Sequence, residues 1–126
     1  MDNESGAPLS GRRVLVVEDE FIIALDVQRM MEDAGASEVI IAYSPEEVRD
    51  LLAADARFDI GVVDLKLGEQ DARPLIRELR DRNIPLIVAT GFDPGLELED
   101  VVLVSKPYGD ETILAAIRLL LSRFKE

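Results

Sequence analysis

Five short apolar runs recur along the chain, and each is followed by a polar or charged residue. The runs cover residues 14–17, 39–42, 60–63, 86–89 and 101–104. They are too short for typical helices, and they are rich in the β-branched residues that suit strands buried on both faces. We therefore predict five buried strands, a pattern typical of a parallel sheet.

Between the first runs the apolar positions recur at helical spacing. A helix is predicted from Phe21 to the vicinity of Gly35, which offers it a left-handed end. Its buried stripe would be Ile23, Val27, Met30 and Ala34. A second helix is predicted at Ser44, Pro45 and Glu47, which have the spacing of a capping box with proline in the first turn. Its buried side would be Val48, Leu51 and Leu52.

Two further helices follow the third and fifth runs. Residues 71–74 can open one of them, and Asp110 can cap the other. Their buried positions would be Leu75, Ile76 and Leu79 in the first, and Ile113, Ile117, Leu120 and Phe124 in the second. Strands that alternate with helices predict an α/β fold with a five-stranded doubly wound parallel sheet.

Two segments do not fit this alternation. Residues 1–11 contain Gly, Pro, Ser and charge with few large apolar residues, so we expect a flexible tail and a folded domain over residues 12–126. Residues 92–100 are too short and too broken for more than about a turn or two of helix.

The composition narrows the function. With 14 Lys and Arg against 26 Asp and Glu the formal charge is −12, so unspecific attraction to nucleic acid or to an anionic membrane is not expected. The chain has no Cys and no His, which excludes thiolate nucleophiles, imidazole bases and the usual zinc sites. Oxygen ligands and a hard cation such as Mg²⁺ remain. No apolar leader or membrane-length stretch is present, so we expect a cytoplasmic protein.

Chemically active residues follow four of the five predicted strands. They are Glu18, Asp19, Asp64, Thr90 and Lys106. The carboxyl ends of parallel strands share one edge of a sheet, so these side chains should lie together. Three carboxylates there require a cation, and a hydroxyl with an ammonium group suits a phosphoryl group. Asp64 would then be the nucleophile.

Each of these residues also has a simpler interpretation. Asp19 could only cap the helix that begins at Phe21, Asp64 could be a turn residue, Thr90 a β-former and Lys106 a solvated charge. Chance would have to place all four at the same edge in the right strand order. The joint pattern therefore favours a functional site.

The motifs resemble those of the two-component response regulator receiver domain, over residues 12–124. VLVVEDE supplies the acidic pair, VVDLKL the phospho-acceptor Asp64, VATG the hydroxyl residue Thr90, and SKPY the Lys106–Pro107 pair. The resemblance implies a flavodoxin-like strand order 2-1-3-4-5. It also implies a signalling domain whose only reactions are phosphotransfer to its own Asp and self-dephosphorylation.

The family further implies how a cofactor and a partner are used. Mg²⁺ would be held by Asp19, Asp64 and the backbone carbonyl of Lys66, with Glu18 acting through a water. The phosphoryl donor would be a histidine on a kinase or phosphotransfer protein, and a chain without His cannot supply that donor itself.

Several positions depart from the usual family pattern. Gly68 stands where receivers carry Pro, Leu103 replaces the switch aromatic, and only 106 − 90 = 16 positions separate Thr90 from Lys106. Residues 84–93 resemble the FAT GUY subfamily of single-domain regulators. That subfamily implies a shortened or mobile fourth helix and kinases of the HWE type as partners.

We expect the output to be a protein contact, since no nucleic-acid-binding or output domain is recognised. Phe92, Leu103 and Leu119 are candidates for a switch or partner face, Leu119 because it points away from the buried stripe of the last helix. One hypothesis is that Thr90 closes on phosphorylated Asp64 and orders residues 91–100, with Phe92 as a substitute packing element.

Two alternatives remain at this point. A phosphohydrolase of the haloacid dehalogenase type uses a similar set of residues, but it needs a second Asp where this chain has Lys66. A receiver that binds its partner without phosphorylation is the other alternative.

Overall fold

The computed structural model describes residues 7–91 and 101–123. The strands are Arg13–Val17 (β1), Glu38–Ala42 (β2), Ile60–Asp64 (β3), Lys66–Leu67 (β4), Gln70–Asp71 (β5), Leu86–Thr90 (β6) and Val101–Ser105 (β7). The helices in the described residues are Phe21–Asp33 (α1), Pro45–Ala53 (α2), Arg73–Asp81 (α3) and Asp110–Arg123 (α4). The predicted shortened fourth helix and Phe92 fall in residues 92–100, and Phe124 follows Arg123, so these predictions lie outside the described residues.

Five strands form one parallel sheet in the order β2-β1-β3-β6-β7. Since β6 and β7 are its fourth and fifth strands along the chain, the predicted order 2-1-3-4-5 is confirmed. The antiparallel hairpin β4–β5 was not predicted. Strands of two residues carry no periodic signal that a sequence pattern can reveal. Gly68 lies in the turn between β4 and β5. Its φ of +61° is a conformation that favours glycine.

The two faces of the sheet are covered by different helices, because successive side chains of each strand point to opposite sides. In β1, Val14 and Val16 lie in the cluster that α1 and α4 cover, whereas Leu15 and Val17 lie in the cluster under α2 and α3. The helices contribute their predicted stripes, including Val27 of α1. The doubly wound architecture is therefore confirmed.

Side-chain hydrogen bonds are found at the starts of three helices. At α2, Ser44 Oγ accepts the Glu47 N–H at 3.2 Å as predicted, while Glu47 Oε1 accepts the Tyr43 N–H at 2.8 Å, one residue before the expected donor. At α3, Asp71 Oδ1 accepts the Arg73 N–H at 2.9 Å. At α4, the carboxylate of the first residue, Asp110, accepts two hydrogen bonds from Arg29 of α1, at 2.9 and 3.0 Å. The hydrogen bonds between Arg29 and Asp110 join α1 to the start of α4.

The last part of the expected tail packs on the domain. Leu9 is completely buried in the core, its N–H donates to the Ala34 carbonyl at 2.9 Å, and Ser10 bridges Ala36. Gly35 has a φ of +104°, and a Cβ there would lie 3.0 Å from Ala7 Cβ. The described chain therefore packs on the domain from Ala7 onward, and the expected boundary at residue 12 stays a prediction. One leucine among polar residues gives no periodicity, so the pattern could not reveal this contact.

No helix within the described residues combines the length and the apolar character that crossing a bilayer requires. The longest of them, α4, has 14 residues.

Leu9→Ala should lower the free energy of unfolding by about 2–4 kcal/mol, because it leaves a cavity under α1. Urea unfolding measures the change. Ser10→Ala, at an exposed neighbour, is the control and should shift stability by less than about 0.5 kcal/mol. An unchanged midpoint for Leu9→Ala would mean that this segment does not contribute to the fold.

Candidate functional site

The carboxyl edge of the sheet brings the predicted residues together. Asp64 ends β3 opposite Ala89, and Thr90 ends β6 opposite Ser105, so the residues that follow β1 and β7 lie beside them. A pocket of about 460 Å³ opens at this edge. Its lining includes Asp19, Asp64, Lys66, Thr90 and Lys106.

The three predicted acidic residues form one cluster. Glu18 and Asp64 are buried, with 3% and 5% of their surface exposed, whereas Asp19 is exposed. One carboxylate oxygen from each lies within 4.8 Å of the others. Hard divalent cations prefer such oxygen ligands, so the donor set fits Mg²⁺. Glu20 occupies the N-cap position of α1, so Asp19 is not the cap of that helix.

Both oxygens of the Asp64 carboxylate have partners. Oδ1 accepts the Lys66 N–H at 3.2 Å, and Oδ2 accepts a hydrogen bond from Lys106 Nζ at 2.5 Å. The Lys106 N–H in turn donates to the Thr90 carbonyl at 2.8 Å. Asp64, Thr90 and Lys106 are therefore connected across three neighbouring strands. The main chain of Lys66 lies at the pocket, while its carbonyl as a metal ligand stays a prediction.

The acidic cluster shifts the protonation of its members. Burial raises the pKa of Glu18 to about 7, with the Asp64 charge and hydrogen bond adding to the shift, although the Glu20 N–H opposes it. For Lys106, burial works against the charged form, but the Asp64 carboxylate outweighs it and the pKa of Lys106 is raised. Lys106 is thus a cation at neutral pH. Its single positive charge does not balance the three carboxylates of the cluster.

The candidate partner residues lie away from the pocket. Leu103 on β7 is 43% exposed and Leu119 on α4 is 45% exposed. Their exposure agrees with a surface role, and that role stays a prediction.

The sequence did not identify one wall of the pocket. Gly68, Asp71 and Arg73 line it together with the residues above. They belong to the hairpin β4–β5 and to the first turn of α3. The only sequence signal was a Gly-containing polar segment after β3, which indicates a loop but not the direction in which it folds.

An apolar groove of about 750 Å³ adjoins the pocket, because Lys106 lines both. Its other walls come from α1 and from the segment after β7, including Ile22, Leu25, Pro107 and Tyr108. Ile22 is 75% exposed and the adjacent Phe21 is 57% exposed. Large apolar side chains exposed side by side mark a surface that favours contact with another molecule.

The family model described as response regulator receiver domain matches residues 14–118. The chain belongs to this family. Receiver domains are the signalling domains of two-component response regulators, and they are phosphorylated by histidine kinases or phosphotransfer proteins and bind Mg²⁺ at an acidic pocket. The predicted family and its five-stranded fold are confirmed.

Curated regulatory proteins are similar to most of this chain. The transcriptional regulatory protein PdtaR of Mycobacterium tuberculosis is 29% identical over 122 residues, which is 91% of this chain and 59% of that protein. The chain therefore spans less than two thirds of the length of this relative.

Solved receiver structures have the same fold. A response regulator receiver protein from Sinorhizobium medicae is 25% identical, with a TM-score of 0.78 over 90% of this chain and 97% of that one. The response regulator PhyR from Brucella abortus is 28% identical, with a TM-score of 0.81 over 96% of this chain and 53% of that one.

Glu18→Gln should stabilise the metal-free protein more at about pH 8 than at about pH 5.5. The folded pKa near 7 exceeds the ordinary value of 4.5, so the folded state binds more protons between these values and loses stability as the pH rises through them. Glutamine removes that loss, and the difference between the two pH values should be about 1–3 kcal/mol.

Urea unfolding in the presence of EDTA measures this difference. Glu69→Gln removes an exposed charge from the rim of the same pocket and serves as the control. An equal gain from Glu18→Gln at both pH values would contradict the assigned cause.

Proposed function

We propose that this receiver domain accepts a phosphoryl group on Asp64 with the help of Mg²⁺ and signals through protein contacts. The observation that carries the proposal is the Asp64 carboxylate itself, which ends a fully buried strand and faces a pocket beside Asp19 and Lys106. We also propose that the folded domain covers residues 12–126 together with the packed residues from Ala7 onward.

The chemistry follows from these positions. An Asp64 oxygen attacks the phosphorus of a phosphohistidine, the P–N bond breaks, and the acyl phosphate forms while the imidazole leaves. Asp19, Asp64 and the Lys66 carbonyl would hold Mg²⁺, with Glu18 acting through a water. When bound, the ion neutralises charge on the transferring group.

Thr90 and Lys106 would contact the phosphoryl group after transfer. Lys106 already donates to Asp64 and needs only to shift its ammonium to a phosphoryl oxygen. The Lys106 N–H donates to the Thr90 carbonyl, so a movement of one main chain displaces the other. This link supports the hypothesis that Thr90 transmits the phosphorylated state to residues 91–100, Phe92 among them.

The phosphodonor is proposed to dock on the groove beside α1. That groove is apolar, it adjoins the pocket through Lys106, and it exposes Ile22 and Leu25. A donor must bring its histidine to Asp64, so its surface has to cover residues next to the pocket. The formal charge of −12 favours a donor with a basic rim around its apolar contact.

The finer identity of the system is part of the proposal. The resemblance of residues 84–93 supports the FAT GUY subfamily and a kinase of the HWE type, in a cytoplasmic setting without nucleic acid or membrane contact. Leu103 and Leu119 are proposed for the downstream partner, because both are exposed and lie on β7 and α4, away from the donor groove.

Incubation with acetyl phosphate and Mg²⁺ should add the mass of one phosphoryl group to the wild-type protein and none to Asp64→Ala. Intact mass spectrometry measures the adduct, and peptide mapping locates it. EDTA should prevent its formation. Absence of the adduct would favour a module that binds without phosphorylation, and sustained hydrolysis of phosphate esters would favour a phosphohydrolase.

Ile22→Ser should slow transfer from an autophosphorylated kinase of the HWE type by about tenfold, because it removes an apolar contact of the donor. Phosphorylation by acetyl phosphate should not change, since that donor needs no groove. Leu119→Ser, which replaces another exposed apolar residue with serine on α4, is the control. Equal loss with both donors would place the effect in the pocket and contradict docking on α1.

A further inference from the structure

Arg73 belongs to the pocket wall that the hairpin β4–β5 and the first turn of α3 form. It is the first residue of α3, and it lines the same pocket as Asp64, Thr90 and Lys106. Its backbone is fixed relative to the acceptor strand, because the Ala72 N–H donates to the Leu65 carbonyl at 2.9 Å. The Arg73 backbone is therefore anchored to the segment that follows Asp64, and the residue lines the pocket.

The guanidinium of Arg73 is incompletely satisfied. Its Nε is buried and has no hydrogen-bond partner in the part of the chain that the structure describes. Asp71 Oδ1 lies 3.4 Å from this Nε, and the Asp71 side chain is 54% exposed. An ion pair so exposed to solvent is weak and exchanges readily. A buried N–H without an acceptor is costly, so an acceptor that enters the pocket would be stabilised there.

The cations of the pocket differ in availability. Lys106 is already paired with Asp64, and Lys66 is exposed. The guanidinium of Arg73 is planar and matches two oxygens of a phosphoryl group at once. We propose that Arg73 binds the phosphoryl group on Asp64 and lengthens its lifetime. This inference rests on the proposed function, because it needs phosphorylated Asp64.

The direction of the effect follows from the chemistry of hydrolysis. Water attacks phosphorus, the bond to the Asp64 oxygen breaks, and inorganic phosphate and the carboxylate are released with a proton. The transition state is loose, so negative charge moves from the phosphoryl oxygens toward the leaving carboxylate. A guanidinium bound to the phosphoryl oxygens but not to the leaving Asp64 oxygen therefore stabilises the acyl phosphate more than its transition state, which slows hydrolysis.

Asp71 competes with the phosphoryl group for Arg73. Asp71→Asn removes the competing charge but keeps an oxygen that can accept the Arg73 N–H, now bonded at 2.9 Å. This variant should free Arg73 for the phosphoryl group. Its effect should vanish when Arg73 is also replaced, which distinguishes competition from a general change of charge.

The test follows the decay of the adduct after acetyl phosphate and Mg²⁺ load the protein and a desalting step removes the donor. Arg73→Gln should lose the phosphoryl group about tenfold faster than the wild type, and Arg73→Lys should lie between them. Asp71→Asn should decay about threefold more slowly than the wild type, and with Arg73→Gln it should decay like Arg73→Gln alone. Arg77→Gln, an exposed arginine one turn further along α3, is the charge-matched control and should decay like the wild type.

A second measurement does not depend on hydrolysis. Titration with beryllium fluoride at fixed Mg²⁺, followed by calorimetry, should give about tenfold weaker binding for Arg73→Gln and unchanged binding for Arg77→Gln. Arg73→Lys and Asp71→Asn keep the test available if Arg73→Gln does not fold.

The outcomes separate this inference from the proposed function. A wild-type protein that never acquires the adduct overturns both. Normal loading of the wild type with equal decay in Arg73→Gln and Arg77→Gln overturns only the role of Arg73. Slower decay in Arg73→Gln overturns it as well, because Arg73 would then stabilise the transition state.

Discussion

The ion pair between Lys106 and Asp64 is the interaction on which the site depends. Asp64 is buried beside Glu18, and Asp19 lies within reach of both carboxylates. One ammonium cannot balance three carboxylates, and the pKa of Glu18, raised to about 7 by burial and by Asp64, reflects that deficit. The cluster is therefore short of positive charge, and a divalent cation would supply it. In the proposed reaction, this cation and Lys106 would share the charge of a phosphoryl group on Asp64.

This pair exists because of the topology of the sheet. Asp64 ends β3 and Lys106 follows β7, and the two strands are separated only by β6. In a parallel sheet these ends meet at one edge, whereas an antiparallel β7 would carry Lys106 to the opposite edge. Thr90 ends the intervening strand and shares a hydrogen bond with the Lys106 main chain. The same edge adjoins the apolar groove of α1, so the proposed docking surface lies beside the acidic cluster.

The sequence predicts what is periodic and what lies at a strand end. The apolar runs predict the sheet. Because parallel strands end at the same edge, they also predict that Asp64, Thr90 and Lys106 lie together there. It does not predict Leu9, a lone buried residue, or the hairpin β4–β5, whose strands have two residues each. It also does not predict that Arg73, outside the predicted buried positions of α3, lines the pocket from the first turn of that helix. Contacts made by turns depend on tertiary geometry that no local pattern contains.

The central claim is that Asp64 accepts a phosphoryl group beside a metal ion held by the acidic cluster. A crystal structure with Mg²⁺ and beryllium fluoride tests it most directly. We expect beryllium bonded to an Asp64 oxygen, Mg²⁺ on Asp19 and Asp64, and Lys106 moved from Asp64 to a fluoride. Beryllium fluoride absent from Asp64, or Mg²⁺ bound away from the cluster while the Lys106–Asp64 pair stays intact, would contradict it.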